Sequence, residues 1–275
     1  MKHIYMKRVI SALTALTVFS SLSALPANAN GVGDSLDDSK VSANEISRSL
    51  YNVKSSSNLI MEASHSSTLE RLVSNIPNDT DIPQDASEGM SIAGISVSLP
   101  NAEAADKSVS LPDGTVVYPS QGNSANAVVA NSSGVQVLTT IANKNADTHY
   151  EYELQLEEHQ TLALTSDGGA AVYNGDGSVQ VVVPPAWAQD ANGHDIPTRY
   201  VVENNRLIQI VEHTSVQNVA YPVVADPIWL APWVVRCLIG IGINGPTIVR
   251  IASTGTPQAI LAAFGYAAFR CVIGR

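Results

Sequence analysis

The chain is 275 residues long, 45% apolar and only 15% charged, with a net charge of −10 and two cysteines. That apolar content is enough for a packed core and excludes wholesale disorder, and the length allows one or two domains. Charge is divided by region. All 25 acidic residues and eight of the 15 basic ones fall between Asn30 and Asp226, whereas the last stretch holds Arg236, Arg250, Arg270 and Arg275 and no acid. An acidic body repels nucleic acid and anionic lipid, so nucleic acid is not expected as a partner, and the basic end is expected to draw anionic membrane lipid.

In chain order, residues 1–29 read as an export signal. Lys2, Lys7 and Arg8 make a basic start, an apolar run follows from Val9 to Leu25, and Ala27-Asn28-Ala29 is a small-x-small site after Pro26. Cleavage by signal peptidase after Ala29 and secretion are expected. In an oxidising compartment the two cysteines are read first as one disulfide.

Residues 30–90 read as a helical and linker segment. Ile46, Leu50, Val53, Ile60, Leu69, Leu72, Val73 and Ile76 recur at spacings nearer three and four than two, which predicts one or two amphipathic helices. Pro77-Asn78-Asp79 and Ile82-Pro83-Gln84 break that pattern.

From Ile92 the period switches to two, and residues 91–226 are expected to form a β-rich unit. Short β-type runs are predicted over 92–99, 115–118, 127–129, 135–141, 150–156, 161–164, 170–173, 179–183, 199–202 and 207–212. Turn signals separate them: Pro112-Asp113-Gly114, Ser132-Ser133-Gly134, Asp167-Gly168-Gly169, Asn174-Gly175-Asp176-Gly177 and Asn204-Asn205. Many short strands at close spacing predict an antiparallel sandwich or barrel.

The run from Val183-Pro184-Pro185-Ala186-Trp187 to Asp195-Ile196-Pro197-Thr198-Arg199-Tyr200 is followed by Leu207-Ile208-Gln209-Ile210-Val211 and by Tyr221-Pro222-Val223-Val224-Ala225-Asp226-Pro227. These stretches resemble secreted, uncharacterised proteins of Gram-positive actinobacteria, in which a β-rich module ends in a Tyr-Pro-Val-x-x-Asp-Pro hinge before a variable tail. A similar hinge precedes the toxin-bearing ends of large Rhs-type surface proteins. The resemblance implies a secreted Gram-positive origin and a tail that carries the individual function.

The tail, residues 227–275, resumes helical texture. Pro227 or Pro232 suits a first helical turn with Asp226 or Ala231 ahead of it as a cap, the apolar run Trp229 to Ile243 follows, and Thr256-Pro257 opens a second helix from Ala259 to Ile273. A short third helix is read over 246–253. Cys237 and Cys271 have Thr254 as their midpoint, so an antiparallel hairpin brings both sulfurs to one level. Gly240, Gly242 and Gly265 are expected to allow close helix contact.

No enzyme motif stands out. His149, His159, His194 and His213 lie among carboxylates without metal-ligand spacing, and there is no nucleophile elbow for a serine. Asn174, Asp176 and Ser178, like Asp190, Asn192 and His194, alternate as calcium ligands do, but both sets lack the closing glutamate and read as turns. No metal and no cofactor are expected.

The fold expected is therefore α+β: an N-terminal helical segment, a central antiparallel β-sandwich-like unit and a C-terminal apolar helical hairpin. The expected function is that of a secreted, non-enzymatic precursor, whose cationic apolar tail acts on membranes like a bacteriocin while an acidic carrier holds it soluble. Trp229, Trp233, Arg236, Arg250, Phe264, Tyr266, Phe269 and Arg270 are the expected lipid contacts, and a protease is expected to cut near Asp226 and Pro227. The alternative is an extracellular interaction module whose tail belongs to its core.

Overall fold

The structure, a computed structural model, describes residues 40–57, 59–63, 72–73, 81–131, 133–243, 247, 251 and 257–273. The expected export signal with Ala27 and Ala29, the 77–79 breaker, Arg250, the bulk of the short helix over 246–253 and the Thr254 midpoint lie outside the described residues.

The first described element is helix α1 (Ala43–Ser56). Ser42 caps it: the Glu45 N–H donates to the Ser42 hydroxyl at 3.3 Å, and the Ser42 N–H donates to the Glu45 carboxylate at 2.8 Å. This reciprocal pair satisfies two donors that the first turn would otherwise leave unpaired. The buried face is Ile46, Ser49, Leu50 and Val53, of which the three-and-four spacing predicts the apolar three, whereas Leu72 and Val73, expected in the same helical pattern, form a strand.

Strands follow: β1 (Leu72–Val73), β2 (Asp81–Ile82), β3 (Met90–Ile92), β4 (Ile95–Val97), β5 (Val109–Ser110), β6 (Val116–Tyr118), β7 (Ser124–Asn131), β8 (Gly134–Ile141), β9 (His149–Gln155), β10 (Thr161–Leu164), β11 (Ala170–Tyr173) and β12 (Val179–Val183). The remainder are β13 (Ala188–Gln189), β14 (Thr198–Glu203), β15 (Arg206–Val211), β16 (Val223–Ala225) and β17 (Ile228–Leu230). All pairings among them are antiparallel, in two sheets. The smaller runs β1-β2-β3-β4-β9-β15-β14, and the larger runs β10-β11-β12-β17-β8-β7-β6-β5, with β16 on β8 and β13 on β16.

Two cores explain the burial. Tyr150, Tyr152 and Leu154 of β9 and Leu207 of β15 face Val116, Tyr118, Val128, Val137, Val172 and Trp229 of the larger sheet. Strand β9 alternates strictly, with Tyr150, Tyr152 and Leu154 buried and Glu151 and Glu153 exposed, as expected of a strand with one face in a core. The other face of the larger sheet, including Ala127, Val129, Leu138, Val224 and Ile228, is covered by Ile46, Leu50 and Val53 of α1 and by Val234, Val235 and Leu238 of α2 (Pro232–Gly240). Strand β8 is thus buried on both faces along its whole length. Its Gln136 also ties in the chain after α1, accepting from the Met61 N–H at 2.8 Å and donating to the Leu59 carbonyl at 2.8 Å.

The expected boundary between body and tail needs correction. Val223 pairs with Ile141, Ala225 with Thr139, Ile228 with Gln136 and Leu230 with Gly134, all in one continuous register. Asp226 and Pro227 therefore lie inside one long strand of the larger sheet. Of the two expected helix starts, Pro232 with Ala231 as N-cap opens α2 and Pro227 does not; Trp229 and Leu230, the first residues of the apolar run, belong to β17. The physical reason is that a continuous apolar run fits a strand buried on both faces as well as a helix, and pairing on β8 decides.

The last helix, α3 (Pro257–Ile273), is not the continuous rod expected. It breaks at Gly265, where φ is 83° and ψ 174°. A bridge of Cys237 to Cys271, with Cα atoms 5.4 Å apart, ties α3 to α2.

Candidate functional site

Two places concentrate features that packing alone does not require: the Asp226–Pro227 junction and the bridged pair α2–α3.

At the junction, the outer edge of the long strand changes partner. β13 pairs with β16, β12 pairs with β17, and the intervening Pro184-Pro185-Ala186-Trp187 stretch leaves a gap in the ladder. Asp226 fills it. Its N–H donates to the Trp187 carbonyl at 3.3 Å, and the Trp187 N–H donates to Asp226 Oδ1 at 3.0 Å. The carboxylate oxygen thus takes the place of a backbone acceptor. Pro227 accepts from the Val137 N–H at 2.8 Å and has no N–H of its own to offer the sheet.

The carboxyl is fully buried, and the Tyr200 hydroxyl donates to the same Oδ1 at 3.3 Å. Gln209 Nε2 donates to the Trp187 carbonyl at 3.2 Å, which places that side chain in the same cluster. Among the described residues Asp226 Oδ2 and Gln209 Oε1 have no hydrogen-bond partner. Burial pushes the Asp226 pKa up to about 8, against bonds from Trp187 and Tyr200 that act the other way. Trp187, Tyr200 and Gln209 were not singled out from sequence. The one signal available was an Asp-Pro dipeptide flanked by apolar β-type residues, where a solvated turn would carry polar neighbours.

The second place is the bridged pair. Arg236 and Arg270 each precede a bridged cysteine and both are exposed. Ile239, Ile241, Leu261 and Tyr266 are exposed apolar side chains, with Tyr266 at 63%. Tyr266 stacks on Phe269 with centroids 6.0 Å apart, and the Arg270 guanidinium lies 6.0 Å over the Tyr266 ring. Trp233, Phe264 and Phe269 are half-buried.

The expected lipid contacts therefore divide. Trp233, Arg236, Phe264, Tyr266, Phe269 and Arg270 gather on α2 and α3. Trp229 does not belong with them: it is 1% exposed in the inter-sheet core, so that assignment is corrected. The processing assignment at Asp226 and Pro227 is narrowed: residues 223–231 are buried, so an external protease cannot seat an extended substrate there without opening the sheet. The glycine expectation also fails. Among the described residues a Cβ at Gly240, Gly242 or Gly265 would meet nothing within 4 Å, so no described helix approaches there. Among the described residues no helix is long and apolar enough to cross a membrane.

The turn readings describe the geometry of both alternating motifs. The Asp190 carboxylate accepts from the N–H groups of Asn192 and His194, each at 2.9 Å, and Asp176 accepts from the Ser178 N–H at 2.8 Å. His213 is buried, with Nδ1 2.8 Å from the Tyr221 hydroxyl and Nε2 3.0 Å from the Asp147 carbonyl oxygen.

No family model, no curated protein and no solved structure matches the chain.

Proposed function

We propose that this is a secreted protein that binds anionic membrane surfaces through its bridged α2–α3 pair, the acidic β-sheet body serving as a soluble carrier. The carrying observation is one place where exposed Ile239, Ile241, Leu261 and Tyr266 accompany Arg236 and Arg270 in a stretch without any acid. Apolar side chains beside arginines suit the boundary between lipid headgroups and acyl chains. The length of the helices favours lying at that boundary over spanning: nine residues in α2 reach roughly 14 Å at 1.5 Å per residue, against a hydrocarbon core of about 30 Å. The acidic body would be turned away from the same surface, which orients the protein.

The test is co-sedimentation with vesicles of phosphatidylglycerol and phosphatidylcholine, compared with pure phosphatidylcholine. Each basic residue near an anionic surface contributes about 1 kcal/mol. Arg236→Gln with Arg270→Gln should then weaken binding by about 30-fold, with the fold intact by circular dichroism. Equal binding by wild type and double variant would sink the reading.

A second reading draws on Leu238 and Cys271, which are buried against the larger sheet's helical face. In it the pair is a structural cap of an extracellular interaction module, and neither vesicle type is bound.

A further inference from the structure

We propose that the folded protein cuts its own Asp226–Pro227 bond, the Asp226 carboxyl attacking the main-chain carbonyl carbon of the same residue. The inference rests on the membrane-binding reading above in one respect: it supplies the route by which the lipid-binding end is separated from its carrier.

Three observations carry it. The first is seclusion. The chain from Val223 to Ala231 is buried and runs as one strand on β8, so an external enzyme finds no extended, exposed segment to grip. A cut here has to come from within. The second is the arrangement of the carboxyl. Oδ1 accepts both the Trp187 N–H and the Tyr200 hydroxyl, which assigns Oδ1 as the carbonyl oxygen and leaves the proton on Oδ2, the oxygen with no partner among the described residues. The nucleophilic oxygen is thus unencumbered while the group as a whole is pinned. The third is the leaving group. Proline nitrogen bears no hydrogen, takes no donor part in the sheet and departs as a secondary amine.

The step balances. Oδ2 bonds to the carbonyl carbon of Asp226, the carbon–nitrogen bond to Pro227 breaks, and the carboxyl proton moves to the proline nitrogen. The products are a cyclic anhydride at Asp226 and a free amine at Pro227. One water then opens the anhydride to two carboxyl groups. Solvent supplies that water once the strand is cut. An attack within one residue forms a five-membered ring without the entropy loss of bringing two groups together. Burial supplies the other requirement. A solvated aspartate has lost its proton at pH 7, whereas this one, with its pKa raised to about 8, still holds the acid needed to discharge the amine.

The cut does not by itself free the end. β17 remains paired with β8 and with β12, and both cysteines lie on the Pro227–Arg275 piece, so the bridge does not hold the two pieces together. A membrane then competes only with non-covalent packing.

The experiment is intact mass measurement, under denaturing conditions, of the purified disulfide-bonded chain after incubation at pH 7. A parallel sample is kept unfolded in guanidinium chloride at the same pH. Asp226–Pro227 is the one Asp-Pro bond in the sequence, so the pieces are unambiguous. The expected result is pieces ending at Asp226 and beginning at Pro227, formed at least about tenfold faster in the folded sample. Asp226→Asn, which matches the shape of the neutral carboxyl and lacks its acidic proton, should slow the cut by at least the same factor. No pieces from the folded chain, equal rates folded and unfolded, or cutting of Asp226→Asn at the wild-type rate would each overturn the proposal. The membrane reading is judged separately: an uncut chain that binds anionic vesicles removes only the self-cleavage, and a cut chain that ignores them removes only the membrane function.

Discussion

Trp229 meets Tyr152 edge to face across the two sheets, with ring centroids 6.1 Å apart and planes at 65°. A residue of the C-terminal stretch thus lies in the centre of the body. Trp229→Ala would empty that position and should cost about 3–5 kcal/mol, the range for removing a large buried ring. Urea unfolding followed by far-ultraviolet circular dichroism measures it. The half-buried Trp233→Ala should cost clearly less, and equal costs would mean that β17 is not part of the core.

Gly134 has a reason for being glycine that its turn does not disclose. A Cβ built there would stand 2.0 Å from the Trp229 carbonyl oxygen, a backbone atom that cannot swing aside. Gly134→Ala should therefore displace β17 while leaving the β7–β8 hairpin formed. Hydrogen exchange should show lost protection at Ile228 and Leu230, with Val128 and Leu138 retained. Unchanged protection across 228–230 would count against the pairing.

Much of the body was legible because its strands alternate. β10, β11 and β12 fall where period-two runs and the Asp167-Gly168-Gly169 and Asn174-Gly175-Asp176-Gly177 turns place them, and the Tyr150 to Leu154 alternation named its buried face. The same logic missed β17, since Ile228-Trp229-Leu230 is apolar at every position and a strand buried on both faces has no period to read. The hinge reading of Asp226 comes from the resemblance of the Tyr221-to-Pro227 run to a hinge, and nothing local contradicts it. What keeps it in a sheet is non-local: Trp187 offering both a donor and an acceptor, and β8 continuing on the other side. The pairing of Cys237 with Cys271 followed from a local symmetry and is present. The break at Gly265 was hidden inside an unbroken apolar pattern.

Removing the bridge should act locally. Cys237→Ser with Cys271→Ser frees a loop whose ends are 34 residues apart, worth roughly 3–4 kcal/mol in the loop-entropy account. α3 packs chiefly on α2, and α2 holds the sheet through Val234, Val235 and Leu238, so the loss should fall on α3. Exchange of amides in 257–273 should accelerate while β7 and β8 are unaffected. A matching acceleration in the sheet would show that α3 supports the body.

The N-cap of α1 offers a small, clean test. Ser42→Ala removes the hydroxyl that accepts from Glu45 and should cost about 1 kcal/mol. Since Ile46, Leu50 and Val53 cover the larger sheet, the cost should appear in global unfolding rather than as fraying of the helix alone. A loss confined to α1 amides would show that the helix opens independently of the sheet.

The buried carboxyl sets a pH dependence with a definite sign. Asp226 takes up its proton near the ordinary value of 3.8 when unfolded and at about 8 when folded. Below pH 4 both states are neutral and nothing is lost. Between pH 4 and 8 the unfolded chain has given up a proton that the folded chain keeps, so the stability of the fold falls with rising pH, by about 1.4 kcal/mol per unit at most. Above pH 8 this group contributes no further slope. The neighbouring phenols do not intrude, because burial drives Tyr152 and Tyr200 far above the ordinary tyrosine value. Asp226→Asn keeps the shape and cannot ionise. It should match wild type near pH 4 and exceed it by several kcal/mol at pH 8, read from urea midpoints at pH 4, 6 and 8. If wild type and variant lose stability in parallel across that range, the carboxyl is not held neutral, and its place in the strand rests on the Trp187 bonds alone.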